Sequence, residues 1–342
     1  MKGYSERSGD MKIDFVIPWV DGSDPLWQKE RSQYRADRTT DSCAARYRDM
    51  GLLKYWFRTV EAYAPWVDQI HFITWGHLPE WLNTEHPKLH IVNHKDYIPE
   101  EYLPTFSSRP IEMNIHRIPG LSEHFVYFND DMLLNAPVSP DFFFRKGLPC
   151  DFAHINNIYH TDPTDICEHV RVNSIWIVNN RCSYIKEFLR HPFKYVTPKY
   201  PLKNLAKNIL KLENANFFQG FEDHHLANAY LKTTLADTWE NSRDILHYTC
   251  KNKFRTPLDV NQSLFRYTQL ALGKFHPVSK KSRGKFVSMR NEIPAILDDI
   301  LRSDHKMLCI NDAPDLSNYE QIAAAIISAY EKRFPNKSTF EK

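Results

Sequence analysis

Ile13-Asp14-Phe15-Val16-Ile17-Pro18-Trp19-Val20, closed by Asp21-Gly22-Ser23-Asp24-Pro25, is the stretch that decides the fold. A short apolar, β-favouring run bounded by Asp, Gly, Ser and Pro reads as a buried strand followed by a tight turn. Working outward, Leu26 to Arg38 reads as a charged helix. Arg48 to Tyr63 reads as another, with Leu52, Leu53, Trp56, Phe57 and Val60 at helical spacing and Pro65 as its stop. Ile70–Trp75, Leu89–Val92 and Phe125–Phe128 are further strand candidates, and Arg109 to Arg117 is an expected helix. Strands alternating with helices predict an α/β fold: a mostly parallel sheet with flanking helices.

The second half is harder to read. Leu202–Leu212 is expected as a basic amphipathic helix, His224–Leu235 as a helix, Lys274–Lys285 as a basic loop and Tyr319–Phe334 as a closing helix. With no repeat or low-complexity tract, residues 1–342 are expected to form one domain. Residues 1–11 would be a loose leader, 12–145 an α/β half, and 146–342 a more helical half that completes the site.

Bulk composition excludes several classes. Of 342 residues, 42% are hydrophobic and 13% aromatic, enough for a substantial core. Lys and Arg number 44 against 42 Asp and Glu, so net charge gives no argument for nucleic acid as a partner. The six cysteines, Cys43, Cys150, Cys167, Cys182, Cys250 and Cys309, include no C-x-x-C pair. Met1 to Asp10 lacks the apolar stretch of a signal peptide, and no run approaches the ~20 apolar residues of a membrane span. The expected location is therefore cytoplasmic, with reduced thiols.

Four groups of residues invite chemistry. Asp21, Gly22, Ser23 and Asp24 follow a strand, where ligands of open α/β sheets bind; a capped turn explains the same residues. Asn129-Asp130-Asp131 ends the Phe125 strand, and adjacent carboxylates there suit Mg²⁺ or Mn²⁺ as readily as a solvated turn. His224 and His225 offer a general base, a metal ligand or a surface cap; neighbours on a helix, they would not share one ion. Arg46, Arg48, Arg109, Arg117, Arg255 and Lys337 are candidates for phosphate oxygens or ordinary ion-pair partners.

Taken in order, these segments resemble the Stealth family, the sugar-phosphate transferases of bacterial capsule synthesis. That family also includes the animal enzyme that starts the mannose-phosphate lysosomal tag. The first block is Ile13–Pro25. The second runs from Arg46-Tyr47-Arg48-Asp49 through Tyr63–Val67, Leu103–Ser108, Ile111-Glu112 and His116–His124 to Tyr127–Asp131. The third is His224-His225 with Tyr230–Lys232 and Phe254–Pro257. The fourth is Cys309–Asp312 with Phe334–Glu341. Pro18 stands where the family often has Thr.

The resemblance implies a GT-A-like nucleotide-sugar fold, a UDP-sugar donor, and attack of an acceptor hydroxyl on the phosphorus next to the sugar. Asp130 and Asp131 would hold the cation. Asp21, Gly22, Ser23, Asp24, Arg46, Arg48, Asp49, Asn129 and, more weakly, Lys337 would face the nucleotide-sugar. His225 or His224 would be the base, with Arg255, Arg109, Glu112 and His116 in support. The implied acceptor is a lipid-linked or soluble polysaccharide. That adds an expectation of peripheral contact with the inner membrane face and with capsule-synthesis proteins. The basic segments 202–212 and 274–285 are the stretches expected near anionic lipid or phosphorylated glycan. An ordinary glycosyltransferase releasing UDP, and a non-catalytic sugar-phosphate binding protein, are the rival readings.

Overall fold

The computed structural model describes residues 11–34, 47–159, 166–214, 216–313 and 316–342. The expected leader and Arg46 lie outside these residues. Among the described residues, eleven strands follow in chain order: β1 Ile13–Pro18, β2 Ile70–Thr74, β3 Leu89–Asn93, β4 His124–Tyr127, β5 Met132–Leu134, β6 Phe144–Arg145, β7 Leu148–Asp151, β8 Asn228–Leu231, β9 His276–Pro277, β10 Lys285–Ser288 and β11 Met307–Asn311. The central sheet has the order β3-β2-β1-β4-β8. Its first three pairings are parallel, and only β8 runs antiparallel, against β4. The α/β reading with a mostly parallel sheet therefore holds.

The opening stretch lies at the middle of that sheet because both its faces are apolar. Phe15 and Ile17 pack into one core with Trp56, Phe57, Phe72 and Phe128, while Val16 packs into the opposite one with Ile73, Phe125 and Tyr127. The period-two alternation of a strand sends successive side chains to opposite cores. Asp14, in the same strand, is fully buried yet saturated. Its carboxylate accepts from the backbone N–H of Ser122 at 2.7 Å and Gln69 at 3.2 Å, and meets His71 Nε2 at 3.1 Å. Burial opposes its charge, but these hydrogen bonds outweigh burial and hold its pKa below the usual carboxylate value.

Two segments of the second half depart from expectation. His224–Leu235 is not one helix: Asn228–Leu231 forms β8, and helix begins only at Lys232. The reason is tertiary. The open edge of β4 is satisfied by pairing Tyr127 with Asn228 and His124 with Leu231, which overrides the local helical preference. The expected basic loop 274–285 contains β9, which pairs with Cys150–Asp151, and ends in the start of β10. The second half is the more helical one, as expected, and it also contributes strands. β10 and β11 form a second sheet with β5, antiparallel across β11–β5. That sheet brings the end of the chain back to the carboxyl end of β4.

Candidate functional site

A cleft of about 590 Å³ opens where the carboxyl ends of β1 and β4, the start of β8 and the end of β11 converge. Ligands of open α/β sheets bind at such strand ends. It is lined by Trp19, Asp49, Asn129, Asp130 and Asp131, by Ser108, Glu112, Arg255 and Gln262, and by His224, His225, Arg171 and Asp223.

Asp131 is fixed by the second sheet. Its carbonyl accepts from Ile310 N at 2.8 Å, and its Oδ2 accepts from the Cys309 thiol at 3.2 Å. The same oxygen lies 3.5 Å from His225 Nε2. Its Oδ1 is buried and makes no hydrogen bond. Asp130, beside it, has its pKa pushed up to about 7, first by burial and then by repulsion from Asp131 and Asp49. Among the described residues, no Lys or Arg forms an ion pair with Asp130 or Asp131. An orphaned buried carboxylate oxygen amid surplus negative charge fits a divalent cation held by oxygen. Asp131, His225 and Cys309 also bring ligand atoms within 4.8 Å of one another. A thiolate would favour a softer metal. Burial and Asp131, however, hold the Cys309 thiol protonated, with its hydrogen donated to Asp131.

The two adjacent histidines part company. The turn into β8 points His225 at Asp131, half exposed in the cleft, whereas His224 is buried against Phe152, 3.7 Å from Asp151. Burial lowers the His224 pKa, despite Asp151. Glu112, also buried, has its pKa raised by burial, partly offset by the Gln262 N–H at 2.9 Å and the charge of Arg255.

The arginines differ in a similar way. Arg109 lines the cleft, but its guanidinium is spent on Asp259 at 2.7 Å and on the Thr256 carbonyl at 2.6 Å. Arg48 is paired with Asp312 through Nε at 3.0 Å and Nη2 at 2.6 Å, and lies over the Tyr319 ring. Arg255 donates to Ser108 Oγ at 3.1 Å on the cleft wall.

Several expected contributors do not reach the cleft. Asp21 closes its own turn by accepting from Ser23 N and Oγ, and Asp24 caps the helix Pro25–Ser32 by accepting from Leu26 N and Trp27 N. Gly22 is needed for a close approach, but of the chain itself: a Cβ there would strike the Tyr47 carbonyl. The turn thus seats the strip Tyr47-Arg48-Asp49, which does line the cleft. His116 is partly buried beside Trp239, where desolvation drops its pKa to about 4. Arg117 lies over the Trp239 ring, away from the cleft, and Lys337 donates to the carbonyl of Lys342 near the C-terminal end. The sequence assigns no role to Cys309, Asp312, Asp223, Arg171 or Gln262, all of which touch this site or its lining; Cys309 and Asp312 stand out there only as the ends of the first segment of the fourth resemblance block.

Residues 46–150 match Stealth protein CR2, conserved region 2; residues 11–39 match CR1, conserved region 1; and residues 298–342 match CR4, conserved region 4. The capsular polysaccharide phosphotransferase WcwK of Streptococcus pneumoniae is 40% identical over 335 residues, covering 96% of this chain and 99% of that protein. The exopolysaccharide phosphotransferase cps2G of Lactiplantibacillus plantarum is 38% identical, covering 100% of both. Among solved structures, the galactosyltransferase LgtC with donor and acceptor sugar analogues superposes at a TM-score of 0.36 and 9% identity, covering 92% of this chain and 95% of that one. With three conserved regions matched in order and full-length relatives near 40% identity, the chain belongs to the Stealth family.

Proposed function

We propose that this enzyme transfers a hexose- or N-acetylhexosamine-1-phosphate from a UDP-sugar to a hydroxyl of a growing capsular or cell-surface polysaccharide. The acceptor oxygen forms a bond to the phosphorus next to the sugar. The bond from that phosphorus to the bridging diphosphate oxygen breaks, UMP leaves, and the anomeric bond stays intact. The observation that supports this most is that Asp49, Asp130 and Asp131, with no Lys or Arg ion-paired to them among the described residues, line the same cleft as Arg255. The polysaccharide phosphotransferase relatives support the reaction class.

In this reading Asp130 and Asp131 hold Mg²⁺ or Mn²⁺. The cation, when bound, would neutralise diphosphate charge. Arg255, which lines the same cleft, holds a phosphate oxygen. His225, oriented by Asp131, takes the proton of the acceptor hydroxyl. Glu112 and Ser108 keep Arg255 aimed into the cleft. Arg48 and Arg109 act through their carboxylate partners as supports for the walls.

The test is to incubate the purified protein with UDP-N-acetylhexosamines, Mg²⁺ and an oligosaccharide acceptor, and to identify both products. UMP together with a phosphodiester phosphorus resonance in the glycan is the expected result. UDP with a phosphorus-free product would overturn the reading in favour of ordinary glycosyl transfer.

A further inference from the structure

The helix Leu202–Leu210 is built inside out. Its most buried side chain is Asn208, which is fully covered and fully bonded. Its amide donates to the carbonyls of Ala153 at 2.8 Å and Tyr195 at 2.7 Å, and its Oδ1 accepts from Ile155 N at 2.9 Å. At 3.6 residues per turn, the face away from Asn208 carries Leu202, Ala206, Ile209 and Leu210, with Lys203 and Lys207 along one flank. Leu202 is 84% exposed, Leu210 62% and Ile209 50%. Leu189 and Phe193, on the two helices before it, and Phe217, just after it, are also exposed. A helix on a globular protein normally turns its apolar stripe inward.

Single exposed leucines are ordinary, but these are concentrated. Of the fifteen large hydrophobic residues exposed among the described ones, nine fall between residues 159 and 217. The charge of the same segment is one-sided. Residues 184–212 hold seven Lys and Arg and one acid, Glu187, which is buried and paired with Arg190 at 2.6 Å. Exposed leucine and phenylalanine flanked by lysine match the two demands of a membrane interface, apolar insertion and attraction to anionic headgroups.

The helix is also coupled to the cleft. The strip 153–156 that Asn208 holds pairs with 219–222 through the Ile155–Phe221 bridge and the bonds from Asn156 N to the Gly220 carbonyl and from Glu222 N to the His154 carbonyl. His224 and His225 follow directly.

We propose that the outward face of the helix Leu202–Leu210, with Leu189, Phe193 and Phe217, docks the enzyme on an anionic lipid surface. Docking there holds the cleft near that surface, where an acceptor anchored in lipid would be presented. The charge pattern favours lipid over a second copy of the chain, since like-charged faces repel each other.

The test is sedimentation of the full chain with vesicles of phosphatidylcholine alone or with about 30 mol % phosphatidylglycerol. Binding to the anionic vesicles alone is expected. Leu202→Glu with Leu210→Glu should lower partitioning at least roughly tenfold, and each of Lys203→Glu and Lys207→Glu about fivefold. The control Leu26→Glu, a comparably exposed leucine elsewhere, should change nothing. A second readout needs no loss of function: Leu210→Trp should show a blue-shifted emission increment when anionic vesicles are added. Absent binding by the unaltered protein, binding indifferent to both sets of changes, or an unshifted emission increment from the Leu210→Trp variant would overturn the proposal. So would a light-scattering dimer that is abolished by Leu202→Glu with Leu210→Glu in a chain that ignores vesicles. None of these outcomes depends on the reaction proposed above.

Discussion

Asp130 and Asp131 at the end of β4, and Asp151 and Asp223 at the other end of the cleft, are two pairs of carboxylates with opposite neighbours. Asp151 takes both Nε and Nη2 of Arg266, at 2.8 and 3.0 Å. Asp223 takes Nη1 of Arg266 at 3.0 Å, the Tyr267 hydroxyl at 2.7 Å and Arg171 at 3.0 Å. Burial alone would raise the Asp151 pKa, but Arg266 and His224 overcome it and hold the carboxyl well below its ordinary range. Asp130 has no such partner and is driven the other way, up to about 7. Charge neutralised within the fold serves stability. Charge left over at a strand end is stability forgone, tolerable where a ligand supplies the missing positive charge.

The largest effect should come from removing the surplus. Asp131→Asn keeps the shape and deletes one charge. Transfer activity is expected to fall roughly 10³-fold, as for loss of a principal electrostatic contact, while the thermal midpoint holds or rises because like-charge repulsion is relieved. Nucleotide release and calorimetry on the same sample check both halves. A fall in midpoint would mean that Asp131 is structurally paired after all, and the contrast with Asp151 would collapse.

Arg266→Met is the mirror experiment. It strands the buried Asp151, while Asp223 keeps Arg171 and the Tyr267 hydroxyl, and losing the partner of such a buried charge costs about 3–5 kcal/mol. The change should appear as a lowered denaturant midpoint at pH 7, with the activity of the remaining folded protein reduced far less than by Asp131→Asn. Equal losses of activity would make Arg266 part of the chemistry and erase the division between the two clusters.

How much of this was readable beforehand follows the same division. β1 to β4 were legible because each is a dense apolar run with a sharp stop, and Asp130-Asp131 were legible because two acids at a strand end demand an explanation. β8 was not, since Asn228–Leu231 becomes a strand only when β4 offers an edge. The Asp21 turn is ambiguous in sequence because Asp, Gly and Ser serve ligands and turns alike; only the Tyr47 carbonyl over Gly22 shows which backbone comes close. Arg109 and Arg255 could not be separated, for nothing in sequence reveals that Asp259 waits for one of them. The division between His224 and His225 likewise depends on Asp151 and Asp131, which are distant in the chain.

A smaller effect tests the paired cluster by pH. Glu222 accepts from His154 Nδ1 at 2.8 Å and Lys280 Nζ at 2.5 Å, and those contacts lower its pKa from 4.5 to about 2. A depressed folded-state pKa means its stabilisation is present in full above about pH 4.5 and is lost as pH falls toward 2. The midpoint gap between the unaltered protein and Glu222→Gln should therefore be constant from about pH 7 to 5 and close below that. A gap that persists unchanged at about pH 2.5 would show that Glu222 acts by packing rather than charge.

The smallest effect decides where the cleft ends. Asp24 caps a helix through two backbone N–H groups at 2.8 Å. Asp24→Ala should cost about 1 kcal/mol of stability, and Asp24→Ser, which keeps an oxygen acceptor, only a few tenths. If the residue is a cap and nothing more, the donor KM stays level in both variants, because neither touches the cleft wall and Gly22 still seats Tyr47. A donor KM that rises about tenfold in Asp24→Ser, with stability intact, would carry the nucleotide past Asp49 onto the turn. The first carboxylates of the chain would then join Asp130 and Asp131 as charge kept for a ligand rather than for the fold.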